Sequence, residues 1–114
     1  MGAPVSRHHR VVTHEEWVEE GRRRFGDDPL SWRFVCPSCG RVASVAEWKA
    51  AGAPEGEVAF CCVGRHVEGA KEAFAKGDNS RGCTYSGGGP FRLNPVSVIK
   101  DGVLHEMFEF SMEE

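Results

Sequence analysis

Long apolar runs are missing from this sequence. No stretch approaches the roughly 20 residues that a helix needs to cross a bilayer, which excludes transmembrane-helix functions. The opening residues, Met1-Gly2-Ala3-Pro4 and then Arg7-His8-His9-Arg10, lack the apolar centre of a secretion signal. Gly2 and Ser6 sketch a myristoylation site, but Pro4 and the lack of a second anchoring feature argue against it. Positive charge is not in excess either. The net charge is −3, so the surface as a whole does not advertise nucleic-acid binding. There is no internal repeat and no low-complexity stretch. With 114 residues the chain fits one domain. It is too short for a TIM barrel or a two-half dinucleotide fold.

What is present points first to local structure. Residues 1–12 read as a mobile N-terminal arm, and residues 13–114 as a single zinc-stabilised domain. Thr13 with Glu16 makes a capping box. Trp17, Val18, Gly21 and Phe25 follow at helical spacing, with Glu19-Glu20 early, Arg22-Arg23-Arg24 late and Gly26 as the stop. Ser31 to Val35 alternates as a short strand does. Ser44 with Glu47 starts a second short helix that Gly52 ends. Glu57 to Val63 reads as a strand and Val67 to Lys76 as a short helix closed by Gly77. The clearest element is a C-terminal hairpin. Phe91, Leu93, Val96, Val98 and Ile99 lead into Asp101-Gly102, and Val103, Leu104, Met107, Phe108 and Phe110 lead out. Both turn residues tolerate positive φ.

The five cysteines are Cys36, Cys39, Cys61, Cys62 and Cys83. An odd number without a secretion signal disfavours a disulfide framework and favours a metal site in a reducing cytoplasm. Cys36-Pro37-Ser38-Cys39-Gly40 has the form of a zinc knuckle: two sulfurs two residues apart grip one ion, and the glycine lets the turn close. A thioredoxin-like redox pair would sit at a strand-to-helix junction instead. Two more ligands are needed from Cys61, Cys62, His66 and Cys83. Adjacent residues of an extended chain face opposite ways, so one of Cys61 and Cys62 is a ligand and the other a small core residue. Cys62, followed by Gly64-Arg65, is the choice, with Cys83 beside Gly82 as the fourth ligand and His66 as the runner-up. A closed set of four leaves no position for water, so the Zn²⁺ would be structural. Knuckle amides, with Arg41 or Arg65, would offset the charge of four thiolates.

Cys36-Pro37-Ser38-Cys39-Gly40, Cys62-Val63-Gly64-Arg65, Gly82-Cys83-Thr84-Tyr85 with Gly87-Gly88 and Phe91, and Asp101-Gly102 with Phe108-Glu109-Phe110 recur in that order elsewhere. In them the chain resembles a group of small uncharacterised zinc-ribbon-like proteins encoded by bacteriophages and prophages, from about Trp32 to Phe110. Pro90 departs from the pattern, where a large apolar residue is expected. The resemblance implies Cys36, Cys39, Cys62 and Cys83 as the matched set, with Cys61 outside it, and expression inside an infected bacterial cell.

Other candidates have a plainer alternative. Gly87-Gly88-Gly89 lacks the Lys and Thr of a phosphate loop and reads as a loop before the hairpin. Arg22, Arg23 and Arg24, with Arg7 and Arg10, offer phosphate contacts, yet also suit a solvated helix end. Trp17, Trp32 and Trp48 belong to the core rather than to a stacking surface. His14, His66 and His105 are the buffered bases of note, and none has a recognisable nucleophile. Glu106, Glu109, Glu113 and Glu114 make an acidic end. The expected fold is α+β: a small zinc-ribbon-like domain with short helices packed on an antiparallel sheet and a C-terminal β-hairpin. The expected function is a non-enzymatic, zinc-stabilised module that binds a host protein in the bacterial cytoplasm, as an anti-CRISPR-like inhibitor of a defence or regulatory system does. A nucleic-acid-binding zinc ribbon and a small thiol-dependent enzyme acting through Cys61 are the alternatives.

Overall fold

In the computed structural model, which describes residues 10–73, 81–88 and 93–111, both capping boxes form. Thr13 Oγ1 accepts the Glu16 N–H at 3.1 Å, and Glu16 Oε1 accepts the Thr13 N–H at 2.9 Å. They start helix α1, His14–Phe25. Ser44 and Glu47 do the same for helix α2, Val45–Ala50, with 3.2 and 2.8 Å bonds. Gly26 at φ +100° stops α1 where only glycine is unstrained, and its N–H donates to the Arg22 carbonyl.

Among the described residues, six strands make two three-stranded sheets. The first has the order β1-β4-β5: β1 (Arg10–Thr13), β4 (Val96–Lys100) and β5 (Val103–Met107). The second has the order β3-β2-β6: β3 (Val42–Ser44), β2 (Arg33–Val35) and β6 (Glu109–Phe110). The hairpin β4–β5 forms at Asp101-Gly102, whose φ values of +54° and +80° match a two-residue primed turn. Two helices, two sheets and this hairpin make the fold α+β. No described helix is long and apolar enough to cross a membrane.

Several expectations need correcting. The antiparallel sheet β3-β2-β6 is not alone: the other sheet is mixed, with β1 parallel to β4, pairing Arg10 with Val96 and Val12 with Val98. Arg10, Val11 and Val12, read as part of a mobile arm, belong to that strand. Glu57 to Val63 is not a strand. A 3-10 turn covers Glu55–Glu57, Ala59 takes φ +59°, and only Cys61 bridges, to Ser86. Its apolar residues fit a strand, but the segment wraps the end of β5 instead of extending a sheet. From Val67 to Ala73 there is no helix; Gly69 turns the chain at φ +83° and Lys71 bridges to Cys83. The rest of that expected helix, with Gly77, lies outside the described residues, as do Gly89, Pro90, Phe91, Glu113 and Glu114.

Aromatic rings join α1 to the second sheet. Phe34 and Phe110 stack at 4.9 Å, Trp17 stacks on both, and Trp32 meets Trp17 edge-on at 5.7 Å. Trp32 and Trp48 are buried and Trp17 half-buried, so all three tryptophans serve packing. Trp32 donates its indole N–H to Gly26 O and Trp48 to Cys61 O, each at 2.9 Å, while the buried Trp17 Nε1 meets no acceptor among the described residues. The two sheets are also tied by charge. Arg10 on β1 grips Glu109 on β6 with two bonds of 3.0 and 2.7 Å and meets Glu20 of α1 at 2.9 Å; Glu20 also pairs with Arg24 at 2.9 Å.

Two expected outcomes follow from this packing. A Cβ added at Gly21 would lie 2.5 Å from the buried Trp32 ring. Gly21→Ala therefore destabilises the protein by about 1–3 kcal/mol, against the gain that alanine gives an ordinary helix; a raised melting temperature would contradict this. For Glu20, burial pushes the carboxyl up, but the bonds and charges of Arg10 and then Arg24 bring it net below its ordinary value of 4.5. Its folded-state pKa is thus depressed. The stabilisation is complete above the ordinary value and is lost as pH falls through the folded one. Glu20→Gln should be less stable than wild type at pH 7, with the gap narrowing below about pH 4. Urea unfolding at both pH values measures it, and a gap that does not change with pH refutes it.

Candidate metal centre

The first knuckle sits at the tip of the β2–β3 hairpin. The Cys36 N–H donates to Arg41 O at 3.0 Å and the Gly40 N–H to Cys36 O at 2.9 Å, with Gly40 at φ +81°. The second pair comes from two irregular segments. Cys62 caps a 3-10 turn over Val63–His66, and its N–H donates to Tyr85 O at 3.0 Å. That bond brings the Cys83 segment alongside. Two glycines make the approach feasible. A Cβ on Gly64 would lie 2.4 Å from the main chain of Cys83, and one on Gly82 would lie 3.0 Å from Cys62 Sγ. Gly82 also holds φ +82°.

These segments bring together the Sγ atoms of Cys36, Cys39, Cys62 and Cys83, all within 4.8 Å of one another. Cys36 and Cys83 are 3.9 Å apart, Cys39 and Cys62 3.8 Å. A disulfide needs about 2.05 Å, and all five cysteines are free thiols. The distances fit a tetrahedron instead. Metal–sulfur bonds of about 2.3 Å put tetrahedral sulfurs about 3.8 Å apart. Main-chain amides converge on the sulfurs too. Ser38 N lies 3.4 Å from Cys36 Sγ, Arg41 N 3.4 Å from Cys39 Sγ and Cys83 N 3.3 Å from Cys62 Sγ, and the Gly64 N–H also reaches Cys62. Three of the four sulfurs thus receive the amide two residues on. Four soft donors in this arrangement can hold one metal ion, and that donor set suits zinc or iron.

Without an ion, the cluster shares its protons unequally. The hydrogen bond from Cys36, outweighing burial and helped by the Cys83 and Gly64 amides, brings the Cys62 thiol down to about 5. The same Cys36–Cys62 bond, with burial, drives Cys36 far up. Burial pushes Cys39 up to about 11. A metal entering the site displaces the protons that the thiols hold.

The residues left as alternatives lie elsewhere. Cys61 is buried with its Sγ 3.5 Å from Ser86 Oγ, turned away from Cys62. His66 Nε2 bonds Glu57 Oε1 at 2.7 Å and is not in the cluster. Arg41 binds Val42 O and Glu47, and Arg65 faces Glu57 and Thr84 O, so the groups that bond the sulfurs directly are main-chain amides. Of the basic set, Arg10 and Arg24 are tied to Glu20 and Glu109. Gly87 spends its N–H on Phe60 O and Gly88 on Ser86 Oγ, which leaves neither to cradle a phosphate. One buried group went unforeseen. Asn94 joins Tyr85 OH at 3.2 Å to Phe60 O and Glu106 O, fixing the loop beside the cluster to the hairpin. A lone Asn in a polar stretch gives no signal of this in the sequence.

The geometry separates the candidate ligands by experiment. Cys36→Ser and Cys83→Ser should each lower the melting temperature by about 10 °C or more, as expected for a loss of a few kcal/mol in a domain of this size. Cys61→Ala and His66→Ala should change it by only a few degrees. Equal effects in the two groups would show that the four sulfurs do not act as a unit.

Comparison with curated proteins and with solved structures gives no match. A family model does match, over residues 13–111, a span that takes in both helices, strands β2 to β6 and all four clustered cysteines. By that match the chain belongs to the VVA0879-like family.

Proposed function

We propose that Cys36, Cys39, Cys62 and Cys83 hold one structural Zn²⁺, and that the protein is a zinc-ribbon-like, non-enzymatic module that works by binding another protein. The observation that carries this reading is the closed set of four sulfurs, enclosed by the core and served by main-chain amides. Four thiolates fill a tetrahedral ion, so no position is left for water or substrate, and the ion's contribution is to stability. The resemblance to phage and prophage proteins supports a place of action in the bacterial cytoplasm. It supports a host defence or regulatory protein as the partner, in the manner of an anti-CRISPR-like inhibitor.

The two other readings have less behind them. Nucleic-acid binding would rest on Arg22 and Arg23, exposed at the end of α1, since Arg10 and Arg24 are engaged with carboxylates. A thiol enzyme would need a reachable nucleophile, yet Cys61 is buried against Ser86.

Elemental analysis of the protein purified from cells should give one zinc per chain. A strong chelator should abolish the folded state and zinc should restore it. Zinc-loaded protein should then form a one-to-one complex with a single protein from bacterial lysate, and the complex should be lost on chelation. Iron in place of zinc, or no metal, would overturn the zinc assignment. Failure to form any protein complex, with a DNA-mobility shift that weakens steeply with salt, would favour the nucleic-acid reading.

A further inference from the structure

The hairpin strand β5 is the last strand of its sheet, with β4 on one side and no strand on the other among the described residues. Lys100 and Val103 flank the two-residue turn, so Val103, His105 and Met107 direct their main-chain groups to β4. Leu104, Glu106 and Phe108 direct theirs outward. The chain itself covers the far end of that outward edge. The Phe108 N–H donates to Ala59 O at 2.7 Å, and Glu106 O accepts from the Asn94 amide at 3.2 Å. At Ala59, φ +59°, the covering segment turns away. The main-chain groups of Leu104 and the N–H of Glu106 have no partner from that segment.

A cleft of about 630 Å³ opens where the covering stops. All four residues from Leu104 to Met107 line it. Val98 and Lys100 of β4, with His105 and Met107, put one face of the sheet in its lining, and Leu104 and Glu106 bring it round to the strand's edge. Facing them are the Glu55–Phe60 segment, Gly87 and Gly88, and His14 and Trp17 of α1. A second, apolar cavity of about 250 Å³ adjoins it, sharing Trp17, Val58 and Met107 and reaching Trp32 and Phe34. The edge also lacks the usual guards: β5 has no Pro and no Lys, and Val103 and Leu104 are 54% and 59% exposed.

We infer that this edge is a peptide-binding site, at which an extended segment of a partner protein adds a strand beside Leu104–Glu106 and places a large apolar side chain in the Trp17–Val58–Met107 cavity. Main-chain bonds give such a site its affinity and the side-chain cavity its selectivity. The chain's own Ala59 carbonyl, taken up by the same edge, shows the chemistry of the occupant: extended main chain. The inference rests on the protein-binding reading and names the kind of partner.

The test uses the full zinc-loaded chain and blocked heptapeptides of alternating threonine and valine, with leucine, phenylalanine or aspartate in the centre. Amide exchange at Leu104 and Glu106 should slow about tenfold or more on saturation, and the aspartate peptide should bind at least about tenfold more weakly, since its charge would enter an apolar cavity. N-methylation of the peptide amides that face the edge should abolish binding. Glu106→Pro removes an outward N–H without touching the β4 ladder and should weaken binding with little change in melting temperature. Four results would each overturn the inference: no peptide slows exchange at the edge; the N-methylated peptide binds as well as its parent; the two amides are protected by raising protein concentration alone, which would assign the edge to a second copy; or the lysate complex forms undiminished with Glu106→Pro. That last result would leave the protein-binding reading standing, so the two fail separately.

Discussion

The convergence of four sulfurs is the constraint on which the middle of this protein depends. Between α2 and β4 the described chain has two 3-10 turns, isolated bridges and no regular helix or strand. Such a stretch has little of its own to set against the entropy of ordering it. What fixes it is the meeting of the Cys62 and Cys83 segments with the β2–β3 hairpin tip, where bulk at Gly64 or Gly82 would force the two main chains apart. Those sulfurs lie in the same buried cluster as Trp48, Tyr85 and Phe108. The apolar core and the four-sulfur cluster are therefore one object, and loss of either weakens the other. Enclosing four thiolates in apolar surroundings with nothing to compensate them would be prohibitive; the inward-pointing amides meet part of that charge, and a bound cation would meet the rest.

Around that centre, polar groups hold the two sheets in a single arrangement. Arg10 couples the first strand to the last and to α1 through Glu109 and Glu20. Asn94 uses three polar contacts to join the Tyr85 loop, the Phe60 turn and the hairpin. Asn94 is buried with its partners in place, the condition under which a buried polar group specifies a structure instead of weakening it; the Arg10 network is half-exposed.

Much of this was legible where the signal was local. Thr13 with Glu16, Ser44 with Glu47, and Asp101-Gly102 each form the cap or turn that the residues imply, because the chemistry is complete within four or five residues. Cys36 and Cys39 stood out by their spacing and the glycine that follows, whereas Cys62 and Cys83 were choices over Cys61 and His66 that only the folded chain separates. The failures share one cause. Glu57 to Val63 has the composition of a strand, and Val67 onward that of a helix, yet in both the path is set by partners far along the chain: Tyr85 and Phe108 for the first, Gly82 and Cys83 for the second. Arg10 read as part of a basic arm because its carboxylate partners, Glu20 and Glu109, are remote in sequence. Composition reports what a segment tolerates, and here tertiary contacts chose among the tolerated forms.

The parallel pairing of β1 with β4 carries a consequence for how the molecule comes into being. Arg10 to Thr13 sit beside Val96 to Ile99, so the first strand leaves the ribosome long before its neighbour exists. At about 5–20 residues per second the wait is several seconds. During it α1 can wind up, but Val12 and Trp17 have no sheet to cover them. Pairings that distant in sequence are slow to form even in a finished chain. The knuckle at Cys36–Gly40, by contrast, is local and complete early. Assembly of this protein thus has a built-in order: cysteine hairpin first, closing of the N-terminal strand last. The nascent chain passes through a stage in which the Trp17 side of α1 is exposed to whatever chaperones or partners surround it.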